Sequence, residues 1–362
     1  ERVNKAKICV IIMSDKSAEV KKEVVKDKYI VSSSPHVGTN LTTKKIMLHV
    51  IIALSFPLIA GVVIFGLYSL FIVGLSVAGA VFGEWIYNKA RKAPITVYDL
   101  SAVVTGLILG LNLPPTVPFY IPVVGGIFAT LFVKMLFGGL GKNFANPAAT
   151  ARVFLSLSWT AQMTRFMSPI NYAQKPLDFF AGFNNIVSSA KYITSATPLG
   201  TIKTSAQTGF VDVNLLDMFL GKIGGSIGDV CAIAIILSLI YLLVFKIIDW
   251  KIPLTYIVSV IIFTLIFYKK GYNFILPTLL SGGLLFGAIF MLTDYATAPK
   301  TFWGVITYAA LAGLLTILIR RYGGYPEGVC LSIVLVNIVA PLLDKIFKPR
   351  PLGYVKKKKK EA

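Results

Sequence analysis

Long charge-poor apolar runs, interrupted at regular places by Pro, Gly and Asn, dominate the chain. A bilayer core of about 30 Å needs roughly 20 helical residues. Residues 46–83 carry no charge and are long enough for two spans, 46–66 and 69–88. The run Asp99 to Asn112 is too short to cross before Leu113-Pro114-Pro115 and reads as a half-helix. A full span follows from Pro118 to Phe137, then a Gly138 to Gly141 turn, then a second half-helix from Pro147 to about Trp159. After a mixed-polarity stretch the pattern restarts. Spans at 227–247 and 253–268 precede an apolar run from Phe274 to Leu292, a span at 302–319 and a short run from Pro326 to Leu343.

The spacing of the breaks indicates a duplication. Pro118 and Pro299 lie 181 residues apart, and Pro147 and Pro326 lie 179 apart. Five crossings per copy would turn the second copy upside down, so that broken helices meet near the midplane around a site. The fold expected is therefore an all-α polytopic membrane protein. It has about ten transmembrane helices as two inverted five-helix repeats with broken half-helices. Ordinary spans kinked by Pro and Gly are the plainer alternative. The organisation that follows is an N-terminal tail 1–45, a first membrane repeat 46–160, a loop 161–226, a second repeat 227–343 and a basic C-terminal tail 344–362.

Composition agrees with a membrane protein: 56% of residues are hydrophobic, 14% charged, and mean hydropathy is +0.75. The formal net charge of +20 alone would suggest a nucleic-acid partner. Its distribution argues against one, because residues 1–46 hold ten Lys or Arg and residues 344–362 hold eight. Basic loops at Lys89 to Lys92, Lys142, Lys246 to Lys251 and Lys300 fall on the side of both tails, although Lys269, Lys270, Arg320 and Arg321 fall opposite. The bias places both termini in the cytoplasm, the 161–226 loop outside, and the run Lys356 to Lys360 against anionic membrane lipid. Residues 1–30 have no signal-peptide core. Met13-Ser-Asp-Lys has the form of a natural start, which would make residues 1–12 an upstream extension.

Cys9, Cys231 and Cys330 show no metal-ligand or disulfide spacing, and the last two read as buried apolar residues. With only His36 and His49 in the chain, no metal site is expected. His49 is placed at a helix entrance. Carboxylates inside a membrane are costly and therefore functional candidates: Glu84, Asp99, Asp229, Asp294 and Glu327. Asp99 and Asp229 begin expected helices and could equally serve as N-terminal charges. Asp294 and Glu327 fall at expected breaks of the second repeat, where a helix end and free carbonyls could hold a cation or polar ligand. Gly138 to Gly141 and Lys142-Asn143-Phe144-Ala145-Asn146-Pro147 would let backbone approach a ligand, or simply form a re-entrant turn. Thr194-Ser195-Ala196-Thr197-Pro198 reads as an exposed turn with accessible hydroxyls.

Taken together, these motifs resemble the D subunits of the Rnf electron-transport complexes, a family similar to the B subunit of the sodium-translocating NADH:quinone reductase. The residues that carry the resemblance are Thr42 to Leu48, Asp99 to Gly106, Leu111 to Pro115, Phe137 to Pro147, Gly224 to Gly228 and Tyr325 to Gly328. The resemblance implies that Thr197 carries FMN through a phosphoester to its hydroxyl, the family motif being Ser-Gly-Ala-Thr or similar. Two departures occur: Ser195 replaces the common glycine, and Lys191 stands where the family usually has aspartate. It also implies a flavin transferase acting outside, and a noncovalent riboflavin near Asn112, Gly139, Asn143 and Asn146. The activity implied is electron relay between ferredoxin and NAD with coupled translocation of Na+ or H+ at the cell (inner) membrane. The chain has no nucleotide-binding glycine motif and no cysteine set for an iron-sulfur cluster. Iron-sulfur subunits and a second flavin-bearing subunit are accordingly expected as partners. The competing readings are a solute transporter or channel without flavin, the homologous quinone-reductase subunit, and a structural assembly subunit.

Overall fold

The computed structural model describes residues 42–94, 96–167, 169, 197–205, 214–268, 271–324 and 327–348. All regular elements among them are helical. Helix α1 (Thr43–Phe65) and α2 (Leu67–Ala90) form from the charge-free run and meet at Gly66. At 23 and 24 residues, each is about 35 Å long, enough to cross a bilayer. Next come α3 (Ser101–Leu111), α4 (Tyr120–Ile127, continuing as a π-helix over Phe128–Met135) and α5 (Pro147–Ser158).

Two short pieces follow, α6 (Pro198–Ser205) and α7 (Leu215–Leu220). The chain continues with α8 (Ala232–Val244), α9 (Lys251–Phe267), α10 (Ile275–Leu280), α11 (Leu284–Phe286, continuing as a π-helix over Gly287–Met291), α12 (Phe302–Tyr322) and α13 (Val329–Ile346). By length and apolar composition, α1, α2, α12 and α13 can each cross a membrane unaided. A fifth candidate is the bent pair Tyr272–Leu280 and Leu284–Met291, whose halves meet at 66°. The protein is thus a multi-pass membrane protein.

The bend lies where the apolar pattern shows no interruption. Ser281-Gly282-Gly283 opens the helix, with both glycines left-handed at φ 63° and 65°. This break comes eleven residues before Asp294, in addition to the expected one there, where the helix ends at Met291 and α12 starts only at Phe302. It is stable because Arg320, 2% exposed on α12, donates to the carbonyls of Thr278 (2.8 Å), Ser281 (2.9 Å) and Gly282 (3.1 Å). Irregular backbone survives at membrane depth only when protein satisfies it in this way.

In the first half, α2, α3 and α4 pack closely through small residues. A Cβ on Gly106 would stand 2.6 Å from Val77 Cα, so α3 tolerates nothing larger there. The two halves are stitched by backbone and side chain. Ile227 and Gly228 N–H groups donate to Leu113 and Leu111 carbonyls at 3.1 and 2.7 Å. Ser238 Oγ donates to the Ala53 carbonyl at 2.8 Å, and His49 Nδ1 lies 2.9 Å from Tyr241 Oη. His49 sits in the second turn of α1. Cys231 and Cys330 are free thiols and, against the sequence expectation, half-buried, because each stands at a helix start beside a cavity or loop rather than in the middle of a helix.

Candidate functional site

Two buried charged clusters occupy the interior. In the first, Glu84 of α2 is fully buried and Lys134 of α4 is 2% exposed. Lys134 Nζ donates to Glu84 Oε2 and to Ser101 Oγ, both at 2.7 Å. Thr96 Oγ1 donates to Glu84 Oε1 at 2.5 Å and accepts from Asn88 Nδ2 at 3.0 Å. Both carboxylate oxygens are therefore satisfied, which is the condition for a buried pair to persist. Lys134 lies in the π-helical part of α4, whose i→i+5 bonding (Leu136 N to Leu131 O, Gly139 N to Lys134 O, each 3.1 Å) shifts the helix phase.

Lys134, Ser101 and Leu140 form a wall shared by two cavities. The open one, about 1060 Å³, is lined by Asp99, Arg91 and Gly139. The other, about 740 Å³, lies between the halves and is lined by Asn143, Asn146, Thr293 and Asp294 among Ile46, Met47, Ile108 and Phe290. Asn146 caps α5, accepting from Ala148 and Ala149 N–H at 3.0 and 3.2 Å, and its Nδ2 donates to the Met291 carbonyl at 3.0 Å. Asn143 Oδ1 is buried with no partner among the described residues. Asp294 accepts from Ala296 N–H at 3.3 Å and Thr297 Oγ1 at 3.4 Å, closing its own turn.

The second cluster joins α5 to the start of α13. Arg152, 3% exposed, pairs through Nη2 with Glu327 and also donates to Ser226 Oγ at 3.3 Å. Its Nη1 has no partner among the described residues, and neither has Asp229 Oδ1 nearby. Glu327 and Phe166 stand between two cavities. The smaller, about 370 Å³, is lined by Thr197, Asp229, Gly224, Gly225 and Gly282. The larger, about 700 Å³, has Arg152 and Cys330 with Leu157, Met163 and Leu331. Thr197 is half-buried at the start of α6, its Oγ1 accepting from Gly200 N–H at 3.3 Å.

The sequence-derived candidates therefore divide. Asp229, Glu327, Thr197 and Pro198 meet at one cavity. Asn143, Asn146 and Asp294 meet at another, while Gly139 and Asp99 line the open one. Asn112 belongs to none of these cavities; it ends α3 and its Nδ2 bonds back to the Ile108 carbonyl at 2.8 Å. Neither Asp99 nor Asp229 caps a helix: α3 starts after a left-handed Leu100, and α8 starts after Cys231, both without a side-chain cap. Thr194, Ser195, Ala196 and Lys191 lie outside the described residues, as do Tyr325, Pro326 and the terminal lysine run. Sequence reasoning passed over Lys134, Arg152 and Arg320 as charges that matter. The signal was present: a lone cation inside an apolar run must find an anion or carbonyls.

The sequence profile of the NQR2, RnfD, RnfE family matches residues 30–353. The chain belongs to that family. The D subunit of a Na+-translocating ferredoxin:NAD+ oxidoreductase complex from Acetobacterium woodii is 43% identical over 334 residues, covering 92% of this chain and 97% of that protein. The D subunit of a proton-translocating ferredoxin:NAD+ oxidoreductase complex from Clostridium ljungdahlii is 38% identical over 345 residues, covering 93% and 98%. The D subunit of an ion-translocating oxidoreductase complex from Pectobacterium carotovorum is 34% identical over 345 residues, covering 90% and 98%. These relatives match nearly end to end, so both charged clusters lie within the family's shared length.

Proposed function

We propose that this chain is the membrane-embedded D subunit of an ion-translocating ferredoxin:NAD+ oxidoreductase complex, working with other Rnf subunits to couple electron transfer to movement of Na+ or H+. The observation that carries this reading is the family match over residues 30–353, with end-to-end relatives named for that subunit. The helix order, two helices, a short or broken one, then two more, occurs twice, in α1–α5 and α8–α13. That order supports ten crossings as two inverted repeats, with both termini cytoplasmic and residues 161–226 outside.

Within the complex, Thr197 is the attachment point for FMN, and the Asn143/Asn146 cavity takes a second, noncovalent flavin. The residues present suit such groups. Thr197 is half-buried and lines a cavity, and Arg152 Nη1 and Asn143 Oδ1, buried and without a partner among the described residues, offer a donor and an acceptor to polar ring edges. A flavin supplies reversible one- and two-electron exchange, while the chain's own residues bind it, orient it and keep water away.

The test is denaturing-gel fluorescence and intact mass of the protein produced with a flavin transferase, as wild type and Thr197→Ala. Fluorescence and an added FMN mass that disappear in the variant support the relay. A dark wild type made beside an active transferase removes the covalent flavin from the reading and makes solute flux the next measurement.

A further inference from the structure

The Arg152–Glu327 pair joins α5 to the start of α13, and both residues line a cavity. A buried guanidinium normally fills its donors. Here Nη2 serves Glu327 and Ser226, while Nη1 has no partner among the described residues, and the side chain, only 3% exposed, lines a cavity of about 700 Å³. The rest of that wall is largely apolar, with Leu157, Met163, Phe166 and Leu331. It suits a flat apolar body that brings one hydrogen-bond acceptor. Because Glu327 already offsets the Arg152 charge, a neutral acceptor that gains negative charge is a better match than a permanent anion.

The neighbouring cavity identifies the occupant. Thr197 lines the 370 Å³ cavity together with Gly224, Gly225, Gly282 and Asp229, and both cavities share Phe166 and Glu327. The cavity at Asn143 and Asn146 shares no lining residue with either. A ring system tethered at Thr197 by a slender chain therefore has the Arg152 cavity as its adjoining apolar space.

Resting on the reading of Thr197 as the covalent flavin site, we infer that Arg152 is a flavin-contacting residue. The sugar-phosphate chain runs through the glycine-lined cavity, and the isoalloxazine lies in the apolar one with Arg152 Nη1 facing its carbonyl edge. Arg152 and Glu327 then set the flavin's potential in opposite senses. A nearby cation favours the electron-rich form, and a nearby carboxylate disfavours it.

The experiment uses the purified complex as wild type, Arg152→Gln, Arg152→Lys and Glu327→Gln. Spectroelectrochemical titration follows the redox couple that is missing in Thr197→Ala. Arg152→Gln is expected to move that couple to lower potential, Glu327→Gln to higher, and Arg152→Lys to leave it near wild type. Couples that stay in place, or that move together in one direction, overturn the inference, since a purely structural pair gives no opposed shifts. Where Arg152→Gln fails to assemble, Glu327→Gln and a wild-type measurement still decide. Cys330 lines the same cavity, so its alkylation by N-ethylmaleimide should slow several-fold when the protein is made with the transferase rather than without it. Equal rates with and without flavin overturn the placement. Gel fluorescence and mass are read on every sample. Their absence from wild type refutes the Thr197 reading itself, whereas their presence with unmoved couples refutes only the role of Arg152.

Discussion

Lys134 on α4 and Glu84 on α2 form an ion pair of 2.7 Å with each side chain almost fully withdrawn from solvent. Lys134 lines both the open Asp99 cavity and the Asn146 cavity, and Glu84 lines the open one. Burying two charges gains little stability by itself, but removing one partner strands the other at a cost of about 3–5 kcal/mol. Lys134→Met is therefore expected to lower the thermal midpoint of the complex sharply, and Glu84→Gln to do so less, because an amide still accepts from Lys134. The double variant Glu84→Gln/Lys134→Met should regain part of the loss. Scanning calorimetry or fluorescence-detected unfolding in detergent checks the order, and strictly additive losses would show that the pair is not energetically coupled.

At the break between α10 and α11, Arg320 donates to three backbone carbonyls, those of Thr278, Ser281 and Gly282. Hydrogen bonds from a charged donor contribute about 1.5–3 kcal/mol each. Arg320→Ala should cost at least about 3 kcal/mol and lower the yield of folded protein. Arg320→Lys should rescue only part of this, because an ammonium lacks the planar fork that spans Thr278 to Gly282. Equal stability of the Lys and Arg proteins would show that charge alone holds the break.

Gly282 and Gly283 give the same break its backbone. Alanine at either is forced into a left-handed conformation costing about 1–2 kcal/mol. At Gly282 the added methyl also meets Leu199 Cδ2 at 2.8 Å and Arg320 Nη2 at 3.1 Å. Gly282→Ala is thus expected to be the more damaging of the two, measured by thermal midpoint. A reversed order would place the strain elsewhere.

These cases show how far the residues could be read in advance. The long helices were legible from α1 and α2, whose apolar runs leave no alternative. The Asn146-Pro147 start of α5 was legible from its capping chemistry, a side-chain acceptor followed by a residue lacking N–H. The 281–283 break was not, because two glycines inside an apolar run read equally as helix packing. The pairing of Lys134 with Glu84, fifty residues away, was not legible either, since a buried cation announces that a partner exists but not which one. The same holds for Arg152 and Glu327, which come from opposite halves of the chain. Thr197 was reached through a resemblance; only its meeting with Asp229 and Glu327 required the fold.

Asn146 makes two separable interactions, one of which ties the halves together, and three variants can divide them. Its Oδ1 accepts from the first-turn amides of α5, while its Nδ2 donates to the Met291 carbonyl at the end of the second half's π-helix. Asn146→Asp keeps the cap, and its negative charge suits a helix N-terminus. It loses the donor and turns a carboxylate oxygen toward a buried carbonyl. Asn146→Ser keeps a shorter cap and reaches nothing across the interface, and Asn146→Ala loses both. A cap is worth about 1 kcal/mol and the cross-link about the same. If the cross-link positions the halves, Ser and Ala should share one defect, loosened protection of Met291 and Leu292 amides in hydrogen exchange, and differ only in protection of the α5 amides. Asp should protect α5 and yet expose Met291 and Leu292 most, because repulsion adds to the missing bond. Unchanged exchange at Met291 and Leu292 in all three would mean that packing of Phe290 and Ile289 alone holds the halves in register.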